Sequence, residues 1–88
     1  MENGITKEMF VRTLTESEYA AVESRNKKEI REITGIDRDF MVGDSMTVFA
    51  DMPIEKGLYK FDWKAGKTIY YIVQKVFAED RAFCYSIY

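Results

Sequence analysis

The chain lacks histidine altogether and contains a single cysteine, Cys84. Histidine titrates near neutrality and is the commonest metal ligand in proteins. Its absence excludes Ser-His-Asp and Cys-His catalytic units, as well as the usual histidine-containing zinc and iron sites. The lone cysteine excludes an intrachain disulfide and a multi-cysteine metal site. We therefore expect a protein that binds rather than catalyses, with no metal and no cofactor.

An excess of positive charge and a long apolar run are also missing. The formal net charge is −2, so the basic surplus with which duplex-DNA binders neutralise phosphates is absent and duplex DNA is not an expected partner. No stretch approaches the roughly 20 apolar residues that span a bilayer. The N-terminal residues lack the basic start and apolar core of a signal peptide. Together with the low cysteine content, this composition predicts a cytoplasmic protein without a membrane partner.

What the chain does have is a large supply of apolar and aromatic side chains. Hydrophobic residues make up 47% of its 88 residues, which is typical of a folded globular protein. The length predicts one domain over residues 1–88. Six phenylalanines, six tyrosines and one tryptophan are many rings for a core of this size. We expect some of them to reach the surface.

The clearest predicted element is one amphipathic helix over residues 16–34. Thr15 and Glu18 have the spacing of a capping box at its start, and Gly35 fits the left-handed position after its end. The residues of its apolar stripe recur at steps of three and four, apart from Asn26 in the middle of the stripe. They are Tyr19, Val22, Ile30 and Ile33.

The second half of the chain has the alternating pattern of an antiparallel sheet. Strands are predicted over residues 46–51, 58–64, 68–78 and 81–88, with a tight hairpin at Ala65-Gly66 and a further short strand at 9–14. Residues 36–45 fit either a short helix or a loop. The predicted fold class is α+β, with one amphipathic helix packed on a four- to five-stranded antiparallel sheet. A small, partly closed β-barrel with a flanking helix is the alternative.

The main functional expectation is that one helix is too small to cover both faces of the predicted sheet. A helix of 19 residues is about 28 Å long and covers one face of a sheet. Residues 68–78 are apolar on both faces, as expected of a central strand. Rings on the uncovered face then form a surface for a protein partner. The candidate partner-binding residues are Tyr59, Trp63, Tyr70, Tyr71, Tyr85 and Tyr88.

A second candidate surface surrounds the predicted hairpin. Lys60, Lys64 and Lys67 lie near Trp63 and Tyr70 in sequence. Lysines beside rings on a sheet can hold single-stranded nucleic acid, because bases stack on the rings while the lysines contact phosphate. The simpler interpretation is an edge protected from aggregation by its lysines.

These features predict a non-catalytic protein–protein interaction module that acts by stoichiometric binding of another protein. Small, acidic, cysteine-poor domains include many phage or mobile-element inhibitors of bacterial defence enzymes, and such an inhibitor is one hypothesis, by analogy of size and composition. The alternatives are a single-stranded nucleic-acid-binding domain and a structural homo-oligomer, of which a homodimer packed sheet on sheet is the simplest form. An enzyme is not expected.

Overall fold

The computed structural model describes residues 4–64 and 67–88, apart from the side chains of Trp63 and Lys64, and has an α+β fold. Two helices, α1 (Glu16–Glu23) and α2 (Lys27–Thr34), lie beside a five-stranded antiparallel sheet. The spatial order is β1-β3-β4-β5-β2. The predicted Ala65-Gly66 turn lies outside the described residues. The strands are β1 (Phe10–Arg12), β2 (Met46–Phe49), β3 (Gly57–Lys64), β4 (Lys67–Ala78) and β5 (Arg81–Ile87).

The prediction of a single helix over residues 16–34 is wrong in its middle. The chain leaves the helix after Glu23, and Arg25 takes the left-handed conformation at φ 56°. The side chain of Asn26 then accepts a hydrogen bond from the amide of Glu29 and starts α2. An asparagine that caps a helix in this way competes with continuation of the preceding one. The apolar stripe is therefore divided between two short helices.

The predicted ends of the helical region are confirmed. The Thr15 hydroxyl accepts from the amide of Glu18, and the Glu18 carboxylate accepts from the amide of Thr15, which makes the capping box complete. Gly35 follows α2 at φ 76°, in the left-handed position that glycine adopts without a steric penalty. Among the described residues, neither helix has the length and apolar character needed to cross a membrane.

The helices cover one part of one sheet face. Their buried residues Val22, Ile30 and Ile33 form a cluster with side chains that alternate along β3, β4 and β5. We call this face the helix-side face. The sheet members of its buried cluster are Leu58, Ile72 and Ile87, with Tyr70 and Tyr85 packed at its margin.

The opposite face is covered by other parts of the same chain. Its buried cluster contains Ile5 from the N-terminal segment and Ile54 from the connection between β2 and β3. These cover the sheet residues Val48, Tyr59, Val73, Ala82 and Cys84. The expectation that one helix leaves this face uncovered is therefore not met. Two irregular segments, which carry no amphipathic period, supply the second layer.

The sheet remains open, as in the first of the two predicted architectures. The amide of Ile5 donates to the carbonyl of Phe49 at 2.9 Å, so the chain ahead of β1 touches the β2 edge. This contact is one isolated bridge, and the ladders pair β1 with β3 and β2 with β5. The barrel alternative does not describe the sheet.

Candidate functional site

The uncovered part of the helix-side face lies where β2, β4 and β5 continue beyond the helices. Phe83 of β5 stands opposite Thr47 of β2 and Lys75 of β4 in the register. Phe49 of β2 stands opposite Arg81 of β5. Residues directly opposite one another share a face of the sheet. These side chains therefore extend the face that carries Ile72 and Ile87 past the edge of the helices.

Three phenylalanines on this part of the face are exposed, and we call Phe49, Phe77 and Phe83 the phenylalanine patch. Their exposed fractions are 44%, 44% and 36%. The rings of Phe77 and Phe83 are in contact, with centroids 4.6 Å apart and planes inclined at 33°. Phe49 lies diagonal to Phe83 across the β2–β5 pair and on the same face. Exposed rings grouped in this way differ from scattered single side chains.

Phe77 belongs to this patch because β4 is irregular. The register between β4 and β5 shifts between Val73 and Lys75. Val73 and Val76 both pack in the cluster on the opposite face, although strict alternation would separate them. An extra residue in a strand reverses the side-chain alternation after it. Simple alternation from Val73 would instead have placed Phe77 on the opposite face.

Charged groups flank the patch on two sides. Lys75 lies beside Phe83 at the end nearer the helices. At the other end, Glu79 and Asp80 form the turn between β4 and β5 and are exposed. Arg81 lies 3.6 Å from Asp80, with both side chains more than half exposed. An apolar centre with a charged margin is the usual arrangement of a protein–protein contact.

Tyr59, a predicted partner-binding residue, is 1% exposed. Its hydroxyl donates to the carbonyl of Glu55 at 2.7 Å, and its ring meets Phe10 edge-on at 5.3 Å. Burial raises the pKa of this phenol above its usual value of 10.0. Tyr59 therefore joins the β2–β3 connection to β3 within the second cluster.

The other predicted aromatic residues do not form one surface. Tyr70 and Tyr85 are half-buried beside the helices, whereas Tyr71 is half-buried on the opposite face. The guanidinium of Arg25 lies 5.2 Å from the centre of the Tyr85 ring. Tyr88 is 50% exposed, and its backbone pairs with Met41. The side chain of Trp63 lies outside the described residues.

The second candidate surface, around the predicted hairpin, carries both basic and acidic side chains. Lys60 and Lys67 are exposed, and Lys60 stands opposite Tyr70. The side chain of Lys64 lies outside the described residues. Acidic groups accompany them, since the carboxylate of Asp62 accepts from the Thr68 hydroxyl at 3.0 Å. An open groove of about 330 Å³ runs beside this hairpin, lined by Ile36, Asp37, Arg38, Thr68 and Tyr70.

Two titratable groups with large pKa shifts, Cys84 and Glu18, have surroundings that explain the shifts by burial and by hydrogen bonds. Cys84 is completely buried, and burial raises the pKa of its thiol to about 12, which leaves it protonated at neutral pH. The carboxylate of Glu18 is held by Arg12 and by the Thr15 amide. In the part of the chain that the structure describes, no three acidic or cysteine side chains come together as a metal site.

Comparison with known proteins gives no match: no family model, no curated protein and no solved structure is similar to the chain.

The phenylalanine patch is the feature that sequence reasoning missed. Phe77 and Phe83 lie on either side of the Glu79-Asp80 turn. In a regular hairpin with this turn, Phe77 would pair with Ala82, and Phe83 would then lie on the other face of the sheet. The two rings meet on the helix-side face because the register between β4 and β5 shifts twice, between Val73 and Lys75 and between Val76 and Ala78. No residue of the sequence indicates these shifts.

Proposed function

We propose that the chain is a non-catalytic binding protein that contacts another protein surface through the phenylalanine patch. The single observation that carries this proposal is the exposure of three phenylalanines together, at 36% to 44% each, on a sheet face that the helices cover only in part. The remaining apolar residues of the described sheet are mostly gathered into two buried clusters. Among the described residues, Phe77 and Phe83 of the patch are exposed rings in direct contact with one another.

The size of the patch fits the apolar centre of a modest interface. A phenylalanine buries about 150–250 Å² when it is fully covered, so the exposed parts of the three rings together offer roughly 250 Å². Burying that area contributes about 6 kcal/mol before the costs of association are subtracted. A stable interface covers about 800 Å² on each partner, so charged neighbours such as Lys75 and Arg81 would form its margin.

Charge favours a protein partner over nucleic acid. The net charge of −2 supplies no general attraction to phosphate. Around the predicted hairpin, Asp62 lies two residues from Lys60 along β3 and opposite Thr68, and Asp37 lines the groove beside Thr68. Single-stranded nucleic acid remains the alternative, and binding of an oligonucleotide at low salt that survives loss of the patch would favour it.

The inhibitor hypothesis is a special case of this proposal. A captured partner that is an enzyme should lose activity at an equimolar ratio, as expected of a stoichiometric inhibitor. We place this binding function in the cytoplasm, because a chain with a single cysteine and hence no intrachain disulfide fits a reducing compartment.

A capture experiment with matched variants tests the proposal. Phe77→Thr removes a ring from the patch, and Phe61→Thr removes a ring of similar exposure, 37%, from elsewhere on the sheet. Threonine suits a strand, so both variants should fold. The tagged chain and Phe61→Thr should retain the same partner protein, which Phe77→Thr should lose. Equal capture by all three proteins would contradict the proposal.

A further inference from the structure

The phenylalanine patch lies on a step in the molecular surface. The helices pack on Ile72 and Ile87, with Tyr85 at the margin of this cluster. The guanidinium of Arg25, in the connection between the helices, lies 5.2 Å from the centre of the Tyr85 ring. Phe83, two residues before Tyr85 in β5, is the first exposed ring beyond it. A helix with its side chains is about 10–12 Å thick. The patch is therefore the floor of a step one layer deep, with the helices as its wall.

The two ends of this floor carry opposite charge. Lys75 stands at the wall, opposite Phe83 in the register. The open end is formed by the turn of Glu79 and Asp80. Arg81 follows this turn and lies 3.6 Å from Asp80. The turn and Arg81 together thus carry two acidic groups and one basic group.

We propose that the occupant of the patch is a second copy of this chain, packed sheet on sheet about a two-fold axis. This inference rests on the proposed function, since it names the protein that the patch binds. A two-fold contact requires that one patch be complementary to itself. The patch meets this requirement, because rotation brings the acidic open end of one copy to the Lys75 end of the other.

The depth of the step is also close to the spacing of two sheets packed face to face. Two sheets that pack face to face are about 10 Å apart, which is close to the thickness of the helical layer. The patches of the two copies can then touch while the helices of each copy flank the contact in the same layer. A flat partner surface would be held away from the patch by the wall. A second copy presents the matching step.

Variants of the patch test this proposal by the mass of the particle in solution. Light scattering and sedimentation across a concentration series should show a reversible dimer for the unmodified chain. Phe77→Thr removes two rings from each dimer, so its dissociation constant should rise on the order of 100-fold. Phe61→Thr is the matched control and should leave the constant unchanged. An unmodified chain that stays a monomer up to millimolar concentration would overturn the proposal.

A charge exchange provides a second test that does not depend on removal of an apolar side chain. In the two-fold arrangement, Lys75 of each copy faces Glu79 of the other. Lys75→Glu and Glu79→Lys should each weaken their own dimer, because each creates two like-charged contacts. An equimolar mixture of the two variants restores both opposite-charge contacts and should form a heterodimer. A mixture that dimerises no better than its components would contradict the two-fold geometry.

The two proposals can fail separately. If the unmodified chain is a monomer, but a different protein is captured through Phe77, the proposal that a second copy occupies the patch is wrong and the proposed binding function stands. If the chain dimerises equally well with Phe77→Thr, the patch is not the dimer contact and the inference is wrong. If Phe77→Thr changes neither the mass nor the captured proteins, both proposals are wrong.

Discussion

The carboxylate of Glu18 joins the start of α1 to the end of β1, and its removal should destabilise the protein in a pH-dependent way. Two nitrogens of Arg12 donate to its two oxygens at 3.2 and 2.9 Å, and the amide of Thr15 donates at 2.8 Å. These hydrogen bonds lower the pKa of Glu18 from 4.5 to about 2, and the largest contribution comes from Arg12. Because the folded state favours the ionised form, its contribution to stability is complete above pH 4.5 and is lost as the pH falls towards 2.

The loss of stability expected on removing the Glu18 charge follows from the pKa shift of Glu18 and from the solvent exposure of its partner Arg12. A shift of that size corresponds to about 3 kcal/mol if it is fully realised, at 1.36 kcal/mol for each pH unit. The Arg12 side chain is 44% exposed, so screening by solvent reduces the contribution to about 1–2 kcal/mol. Glu18→Gln tests the charge alone, because glutamine can still accept from the amide of Thr15 in a capping box.

Urea unfolding of the unmodified chain and Glu18→Gln measures this difference. The variant should be less stable at neutral pH, and the two free energies of unfolding should converge as the pH approaches the pKa of about 2. Glu16→Gln, in the same helical turn but outside the pair with Arg12, is the control and should change stability less. A deficit in Glu18→Gln that stays constant down to that pH would refute an origin in the carboxylate charge.

Three further outcomes are expected. Gly57→Ala should cost about 2–4 kcal/mol in urea unfolding, because φ is 152° and a Cβ would lie 2.6 Å from the carbonyl oxygen of Arg12; an unchanged midpoint would contradict this. Tyr59→Phe should lower the free energy of unfolding by about 1–2 kcal/mol, since the carbonyl of Glu55 loses its 2.7 Å hydrogen bond, and no loss would show that water replaces the phenol. Cys84 should react with a thiol reagent only when the protein unfolds, because its side chain is completely buried and its pKa is raised to about 12; rapid labelling of the folded protein would argue against its burial.

Local signals in the sequence predicted most of the secondary structure. The hydroxyl and carboxylate of Thr15 and Glu18 act within one turn of chain, so their spacing alone indicates the start of α1. Gly35 likewise ends α2 through its own backbone conformation. The alternation in residues 81–88 also predicted the two faces of β5, with Ala82 and Cys84 on one side and Tyr85 and Ile87 on the other.

Features that depend on distant contacts could not be predicted in this way. Ile5 is 3% exposed because it packs in the second cluster, yet the residues around it show no strand or helix period. The Asn26 side chain lies within the apolar stripe and is compatible with a continuous helix or with a cap. The register shift after Val73 changes the face of Phe77 without any glycine or proline to signal it. These three features decide which surface is left uncovered.

The break between the two helices at Asn26 contributes to the exposure of the patch. A strand of 12 residues such as β4 spans at most about 40 Å, whereas each eight-residue helix spans about 12 Å. A continuous helix over the same region would reach about 28 Å along the sheet. Division at Asn26 replaces that length with two short helices, which cover the part of the face around Ile72 while Phe77 stays exposed. The exposed rings are thus the consequence of a short helical layer on a long strand, and the partner that we propose would supply the missing part of that layer.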